Sequence, residues 1–77
     1  MNLRELESFN AFMTQGSVTK AAQAMNISQP MVSRLLNSFE KSVGFPLFNR
    51  KRNQLVPTNE AHQFHVTVLR SLNSLHE

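Results

Sequence analysis

One face of the segment from Ser28 to Gly44 carries side chains that suit contact with the edges of nucleic-acid bases. If the segment is helical, at about 100° per residue its outer face is mostly polar or cationic and free of carboxylates. The residues on that face are Pro30, Ser33, Arg34, Asn37 and Lys41. The major groove of DNA admits a helix and presents donors and acceptors on its base edges. The solvated face of an ordinary amphipathic helix has a similar composition, so this segment alone leaves both interpretations open.

The run Arg50-Lys51-Arg52 is a second candidate for contact with a nucleic acid. It falls within residues 49–56, which we predict to form a short two-stranded hairpin, a wing, with Asn53 taking a positive φ at its tip. No Asn-Gly or Asp-Gly pair is present, so the turn type stays open. Three consecutive cations on an exposed hairpin suit phosphates or a narrow minor groove, and a solubilising loop is the alternative.

Positive charge is concentrated in the middle of the 77-residue chain. The net charge is +3, but residues 8–59 contain six Lys and Arg residues against Glu40 alone, a net charge of +5 for that span. A basic centre predicts a polyanion docked on one side of the protein. Membrane phosphates would be served by the same charge, so charge does not choose between the two partners.

The first element that positions these residues is a helix from Leu3 to about Gln15. Asn2 followed by Glu5 predicts a capping box at its start, and Gly16 is suited to end it. Apolar residues at helical spacing predict the stripe that faces the core. They are Leu3, Leu6, Phe9, Phe12 and Met13.

A second helix is predicted from Val18 to Met25, with Ser17 as its N-cap. Ala21 and Ala22 favour close approach of another helix, although the helix propensity of alanine is an alternative explanation. Residues 26–28 then form a turn so short that the two helices it joins are predicted to make a helix-turn-helix.

The third helix is the one that carries the polar face described first. Ser28 is suited to cap it, Pro30 fits its first turn, and Gly44 ends it. Asn26 is predicted to take the left-handed conformation in the preceding turn. The inner stripe consists of Val32, Leu35, Leu36, Phe39 and Val43.

The residues after Gly44 are predicted to close the core and to start a last helix. Leu47 and Phe48 should cover the open end of the core, and Thr58 should cap a helix from about Asn59 to Glu77. At about 1.5 Å per residue that helix is nearly 30 Å long, which is more than so small a domain covers. Its apolar stripe consists of Ala61, Phe64, Val68, Leu72 and Leu75, and Leu69 widens it.

Spare apolar surface on the last helix predicts a partner, most simply the same helix of a second copy. The alternatives are a helix that lies on a membrane surface and a helix that packs on sequence beyond this chain. A membrane-surface helix is disfavoured because Arg70 is the only internal cation of this segment.

Enzymatic and metal chemistry are not predicted. His62 and His65 are three residues apart, but the chain has neither Cys nor Asp to complete a zinc site. There is no glycine-rich phosphate loop, and the serines lack an obvious base. No apolar run is long enough to span a membrane, and no signal peptide is evident. We therefore predict no catalytic residue, no cofactor, no metal and no membrane partner.

Three motifs at their observed spacings resemble the DNA-binding region of LysR-type transcriptional regulators. They are Ser-x-Thr-x-Ala-Ala from Ser17, Ser-Gln-Pro-x-Val-Ser-Arg from Ser28 and Leu-Phe-x-Arg from Leu47. The resemblance extends over essentially the whole chain. Asn53, Pro57 and Ala61 depart from the common pattern and resemble the branch that contains LysR itself and the opine-catabolism regulators.

The resemblance implies a mainly α fold, a winged helix-turn-helix of three helices and a two-stranded wing in residues 1–58. It implies a linker helix in residues 59–77 that pairs two subunits, with the chain stopping before an effector-binding domain. It further implies a cytoplasmic, nucleoid-associated bacterial regulator that binds double-stranded DNA as a homodimer at an inverted-repeat operator. A small-molecule effector would then act only through the absent C-terminal domain.

The resemblance also implies roles for individual residues. The major groove would receive Gln29, Pro30, Ser33 and Arg34, and phosphates would contact Thr19 and Lys20. The wing would bring Arg50, Lys51 and Arg52 to the flanking minor groove. Asn37 shares the outer face of the third helix, and Pro30 and Met31 are suited to apolar contact with a thymine methyl group. The residues assigned to dimerisation are Phe64, Val68, Leu72 and Leu75.

A module that binds another protein through its exposed helix is the competing hypothesis. The excess of basic residues argues against it. Salt separates the two, because binding to phosphates weakens steeply as salt rises, whereas apolar contact weakens little.

Overall fold

The computed structural model describes residues 1–74 and contains, in that range, four helices and one two-stranded antiparallel sheet. The elements follow one another as α1 Leu3–Gln15, α2 Val18–Met25, α3 Gln29–Val43, β1 Phe48–Lys51, β2 Gln54–Pro57 and α4 Asn59–Ser74. The predicted order and bounds of the first three helices are confirmed. The predicted end of the last helix, including Leu75, lies outside the described residues.

Each helix begins directly after the residue that the sequence predicts as its N-cap, and a hydrogen bond to that side chain caps its first turn. In α1 the Glu5 amide donates to Asn2 Oδ1 at 2.8 Å, and the Asn2 amide donates to Glu5 Oε1 at 3.3 Å, which completes the capping box. A side-chain hydroxyl accepts a backbone N–H in the first turn of each of the other helices. These hydroxyls belong to Ser17, Ser28 and Thr58.

The turn between α2 and α3 is held by left-handed backbone at Asn26. Its φ is 59°, as predicted, and the Ile27 amide donates to Ala22 O at 3.1 Å. Because an asparagine tolerates this conformation, α2 can stop and α3 can start within three residues. Ala21 and Ala22 are buried where α2 meets α1 and α3, so the predicted close packing is confirmed.

The core is centred on the ring of Phe9 in α1. Its centroid lies 5.1 Å from that of Phe39 in α3 and 6.0 Å from that of Phe48 in β1. Leu47 and Phe48 are buried at the open end of the core, as predicted. The other buried apolar residues are Phe12, Val32, Leu36, Ala61, Val68 and Leu72, besides the two alanines of α2.

Leu3 does not join the core, so that part of the predicted α1 stripe is wrong. The buried face of α1 includes the polar residues Glu5 and Ser8 together with Phe9 and Phe12. At about 100° per residue, Leu3 lies opposite Phe12 and is therefore exposed.

The wing is a β-hairpin with a two-residue loop. Its register pairs Phe48 with Pro57 and Lys51 with Gln54, which leaves residues 52 and 53 at the tip. Both have positive φ, 51° for Arg52 and 63° for Asn53, so the tip is a type I′ turn. This turn matches the twist of the two strands, and it confirms the positive φ predicted for Asn53.

Within residues 59–74 most of the predicted apolar stripe of α4 is covered by the domain itself, so the expectation that Val68 and Leu72 lie on spare surface is wrong. Val68 and Leu72 are only 1% and 9% exposed, because they pack into the same core as α1 and α3. Phe64 is half-buried, with its ring 6.3 Å from Phe9 and 5.7 Å from Phe45. The larger apolar residues that α4 leaves exposed within residues 59–74 are Leu69, at 38%, which belongs to the predicted stripe, and Val66, at 49%, which does not.

None of the helices in residues 1–74 has the length and apolar character needed to cross a membrane.

Candidate nucleic-acid interface

A groove with a volume of about 340 Å³ runs between the start of α2, one flank of α3 and the wing. Five of the residues predicted from the sequence to bind DNA line it together: Thr19, Gln29, Ser33, Asn37 and Arg50. None of the described residues that line the groove is acidic. The groove therefore combines hydrogen-bonding side chains with a cation.

The groove takes in one edge of the polar face of α3 identified from the sequence, through Ser33 and Asn37. The opposite side of α3 is buried through Val32, Leu36 and Phe39, which fixes the rotation of the helix about its axis. Pro30 and Arg34 are then exposed near the centre of the outer face. The predicted orientation of α3 is confirmed.

The pleat of the wing separates its cations. Alternate residues of a strand point to opposite faces, so Arg50 shares a face with the buried Phe48, and Lys51 lies on the other face. Arg50 accordingly lines the groove, and Lys51 does not. Arg52 occupies the first position of the type I′ turn, where a positive φ is uncommon for a residue with a long side chain.

Six of the predicted contact residues are exposed but lie outside the lining of the groove. They are Lys20, Pro30, Met31, Arg34, Lys51 and Arg52. At about 100° per residue, Met31 lies about 160° from Ser33 around α3, on the flank away from the wing. Met31 therefore does not share the groove with the predicted polar contacts.

Three polar residues of the groove did not stand out in the sequence: Ser17, Asn53 and Gln54. The sequence predicts Ser17 as a helix cap and Asn53 as a turn residue, and it assigns neither of them a contact with DNA. A two-residue tip at 52–53 places Gln54 directly after the turn, so the hairpin register is the signal that would have found it.

Glu40 is the one acidic residue in the basic span of residues 8–59, and its carboxylate accepts hydrogen bonds from two backbone amides. Its Oε2 atom accepts from the Leu47 amide at 2.7 Å and from the Phe48 amide at 2.9 Å. Among residues 1–74 it forms no ion pair with a cation. The carboxylate therefore joins α3 to the first residue of the wing.

Thr58 holds the other end of the wing. Its amide donates to Leu47 O at 2.9 Å, and its hydroxyl donates to Pro46 O at 2.9 Å. The same hydroxyl oxygen accepts from the Ala61 amide in the first turn of α4. Both strands of the wing are thus attached to helices at their base.

His65 belongs to a contact between α4 and α1. Its Nε2 lies 2.8 Å from Asn10 Oδ1, and its ring packs edge-on against Phe9. Burial lowers the pKa of His65, and the nearby His62 lowers it further. Within residues 1–74, no three side chains of the His, Cys, Asp or Glu type are grouped as metal ligands would be.

Residues 3–62 match the model of the family described as bacterial regulatory helix-turn-helix proteins of the lysR family. The chain belongs to the LysR family. The resemblance drawn from the sequence motifs is thereby confirmed.

Several LysR-family regulators are similar to this chain in sequence. The transcriptional activator protein LysR of Escherichia coli (strain K12) is 48% identical over 71 residues, which cover 92% of this chain and 23% of that protein. The octopine catabolism/uptake operon regulatory protein OccR of Rhizobium meliloti is 46% identical over 61 residues, 79% of this chain and 20% of that protein. The chain therefore spans about a fifth of the length of these relatives.

Solved structures of LysR-family DNA-binding domains share the fold. A crystal structure of a BenM DBD/benA site 1 DNA complex has a TM-score of 0.89 and 33% sequence identity, and the match covers 99% of this chain and 88% of that chain. A crystal structure of a CbnR DBD–DNA complex has a TM-score of 0.90 and 28% identity, and covers 99% of this chain and 87% of that chain. The predicted winged helix-turn-helix fold is confirmed.

Proposed function

We propose that this chain binds double-stranded DNA sequence-specifically, as a homodimer at an inverted-repeat operator, and so regulates bacterial transcription. The observation that carries the proposal is the groove between α3 and the wing, where Gln29, Ser33, Asn37 and Arg50 come together without a carboxylate. A polyanion with hydrogen-bonding base edges is the partner that fits this lining.

Side chains on the outer face of α3 contact the base edges. Gln29 lies in the first turn of α3, where the second helix of a helix-turn-helix contacts base edges. Its side-chain amide can pair with adenine, with Oε1 accepting from the N6 amino group and Nε2 donating to N7. Arg34 is exposed near the centre of that face and can pair with guanine or with a phosphate. Pro30 and Met31 offer apolar contact to a thymine methyl group.

Residues at the edges of the groove contact the phosphates. Thr19 and Lys20 stand in the first turn of α2, where free backbone amides favour an anion. Arg50, Lys51 and Arg52 extend the positive charge along the wing towards the flanking minor groove. These contacts set the register of α3 on the duplex and contribute most of the salt dependence.

The solved relatives support a DNA partner. The BenM and CbnR structures are described as complexes with DNA, and each match covers 99% of this chain. A chain with the same arrangement of α3 and wing has the surface to receive DNA in the same manner.

The dimer interface between two copies of the chain lies on α4. Val66 and Leu69 are exposed, lie three residues apart and form an apolar flank that the domain itself leaves uncovered. A second copy buries such a flank against itself in a two-fold dimer, and the two-fold axis then matches an inverted repeat. Phe64, Val68 and Leu72 belong to the core through which α4 packs on α1, and the Phe64 ring also lies 6.0 Å from that of Phe39 in α3.

Selection from a pool of random duplexes tests the proposal. We expect repeated rounds of binding and sequencing to enrich two inverted half-sites whose centres lie about one helical turn of DNA, or a multiple of it, apart. Enrichment of a single half-site would contradict the dimer. A pool that stays random while the chain remains folded would contradict sequence-specific binding.

A further inference from the structure

We propose that Glu40 is a positioning residue that fixes the wing relative to α3 and thereby sets the contact of the wing with the DNA beside the site that α3 reads. The inference rests on the proposed function, because the placement of the wing affects binding only if the groove receives DNA. It adds a residue that touches no base or phosphate itself.

One oxygen atom of α3 determines where the wing begins. Glu40 lies eleven residues after Gln29, about three turns along α3 and on the same flank. Its Oε2 accepts both the Leu47 and the Phe48 amide, at 2.7 Å and 2.9 Å. Phe48 is the first residue of β1, so these two bonds connect the flank that lines the groove to the strand that carries Arg50.

Leu47 is held on both sides. Its amide donates to Glu40, and its carbonyl accepts from the Thr58 amide at the end of β2. Its side chain and that of Phe48 are buried in the core. An amide that loses its partner at such a site loses a charge-assisted bond, so the alternative positions of the wing base are disfavoured.

The charge of Glu40 is unfavourable for the proposed partner. It is the only acid in residues 8–59, and its carboxylate is paired with no cation in the part of the chain that the structure describes. A negative charge beside a polyanion weakens association. The charge of Glu40 and its hydrogen bonds should therefore act on DNA affinity in opposite directions, which makes the two effects separable by substitution.

Two variants separate the effect of the Glu40 charge on DNA affinity from the effect of its side-chain length. Glu40→Gln removes the charge and keeps an oxygen at the same distance from the backbone, and one oxygen suffices because both amides bond to the same atom. Glu40→Asp keeps the charge but is one methylene shorter. We expect the Gln variant to bind the selected duplex at least as tightly as the unaltered chain, and the Asp variant to bind about tenfold more weakly, a change of about 1.4 kcal/mol.

The wing itself provides the control. In a background with Arg50, Lys51 and Arg52 changed to Ala, we expect the Asp variant to bind at low salt as tightly as the chain that keeps Glu40, because the two carry the same charge and the displaced wing carries no cation. Hydrogen exchange without DNA gives an independent measurement. The Leu47 and Phe48 amides should stay protected in the Gln variant and lose protection in the Asp variant.

Three results would overturn the inference. Binding by the Asp variant that is as tight as that of the unaltered chain would show that the hydrogen bonds do not set the affinity. Weak binding by the Gln variant alone would show that the charge matters instead. A weakening by Glu40→Asp that persists in the background without wing cations would indicate general damage rather than a misplaced wing. Failure of the unaltered, folded chain to bind any duplex is a separate result, which overturns the proposed function and this inference with it.

Discussion

Ser38 Oγ in α3 donates a 2.6 Å hydrogen bond to Glu5 Oε2 in α1. Glu5 is 5% exposed, and its other oxygen accepts from the Asn2 amide and lies 3.7 Å from the N-terminal ammonium group. A nearly buried carboxylate thus ties the start of α1 to the helix proposed to read DNA. The contact lies on the side of α3 away from the groove, so it affects stability rather than recognition.

Ser38→Ala should reduce the free energy of unfolding by about 1–3 kcal/mol, because the buried carboxylate loses a donor. Urea denaturation measures the change. Ser42→Ala is the matched control, since the Ser42 hydroxyl bonds only to the Ser38 carbonyl on the exposed side of the same helix. Equal effects of the two substitutions would contradict the role given to Glu5.

Arg34→Ala should weaken binding to the selected duplex by about 1–3 kcal/mol and relax the sequence preference at one position. Titration of labelled duplexes measures both effects. Arg70→Ala removes the same charge from an exposed position on α4 and is the control. Unchanged affinity in the Arg34 variant would remove this residue from the readout.

Lys51→Ala should weaken binding to the selected duplex and to a scrambled duplex alike, because Lys51 faces away from the groove and is assigned to phosphate. The slope of log K against log salt should become shallower by about 1. Arg50→Ala is the comparison, since Arg50 lines the groove beside α3. A loss confined to one sequence would contradict the phosphate assignment of Lys51.

Leu69→Glu should convert dimers into monomers without unfolding the chain, because Leu69 is exposed on α4. Sedimentation measures the mass, and circular dichroism checks the fold. Thr67→Glu introduces the same charge at an exposed position of α4 outside the apolar flank and should leave the mass unchanged. Leu72→Glu, in contrast, should unfold the domain, because the Leu72 side chain is buried. A Leu69→Glu protein that still dimerises would rule out this flank as the interface.

Stability should fall as the pH drops below about 6.5, the ordinary pKa of histidine, because the folded state lowers the pKa of His65. Between the lowered pKa and the ordinary one, the unfolded chain binds more protons than the folded chain, so stability rises with pH in that window. Thermal unfolding from pH 5 to 7.5 measures the trend. His65→Gln should flatten it, and an identical trend in that variant would assign the effect to other groups.

Local chemistry made most of the fold predictable. Caps such as Asn2 and Ser28 act through atoms within three residues, and the left-handed Asn26 needs only its own side chain. The face of α3 followed from periodicity, because polar and apolar residues alternate at helical spacing along its whole length. Those signals sufficed for the helix-turn-helix and for most residues of the groove.

Burial by distant elements was not predictable in the same way. Periodicity identifies Val68 and Leu72 as an apolar stripe but does not say whether their own domain or a second copy covers it. Leu3 has the apolar character of a core residue, yet the capping carboxylate of Glu5 and the hydroxyl of Ser8 occupy the buried face. The role proposed for Glu40 depends on the fold placing Leu47 against α3, and no local sequence pattern predicts that contact.

The most direct test of DNA recognition is fluorescence anisotropy with two labelled duplexes, the selected sequence and a scrambled version of it, over a salt series. We predict tighter binding to the selected duplex at every salt concentration, with affinity for both falling steeply as salt rises. Equal affinity for the two duplexes would contradict sequence-specific recognition. Absence of binding to either duplex at low salt would contradict DNA binding altogether.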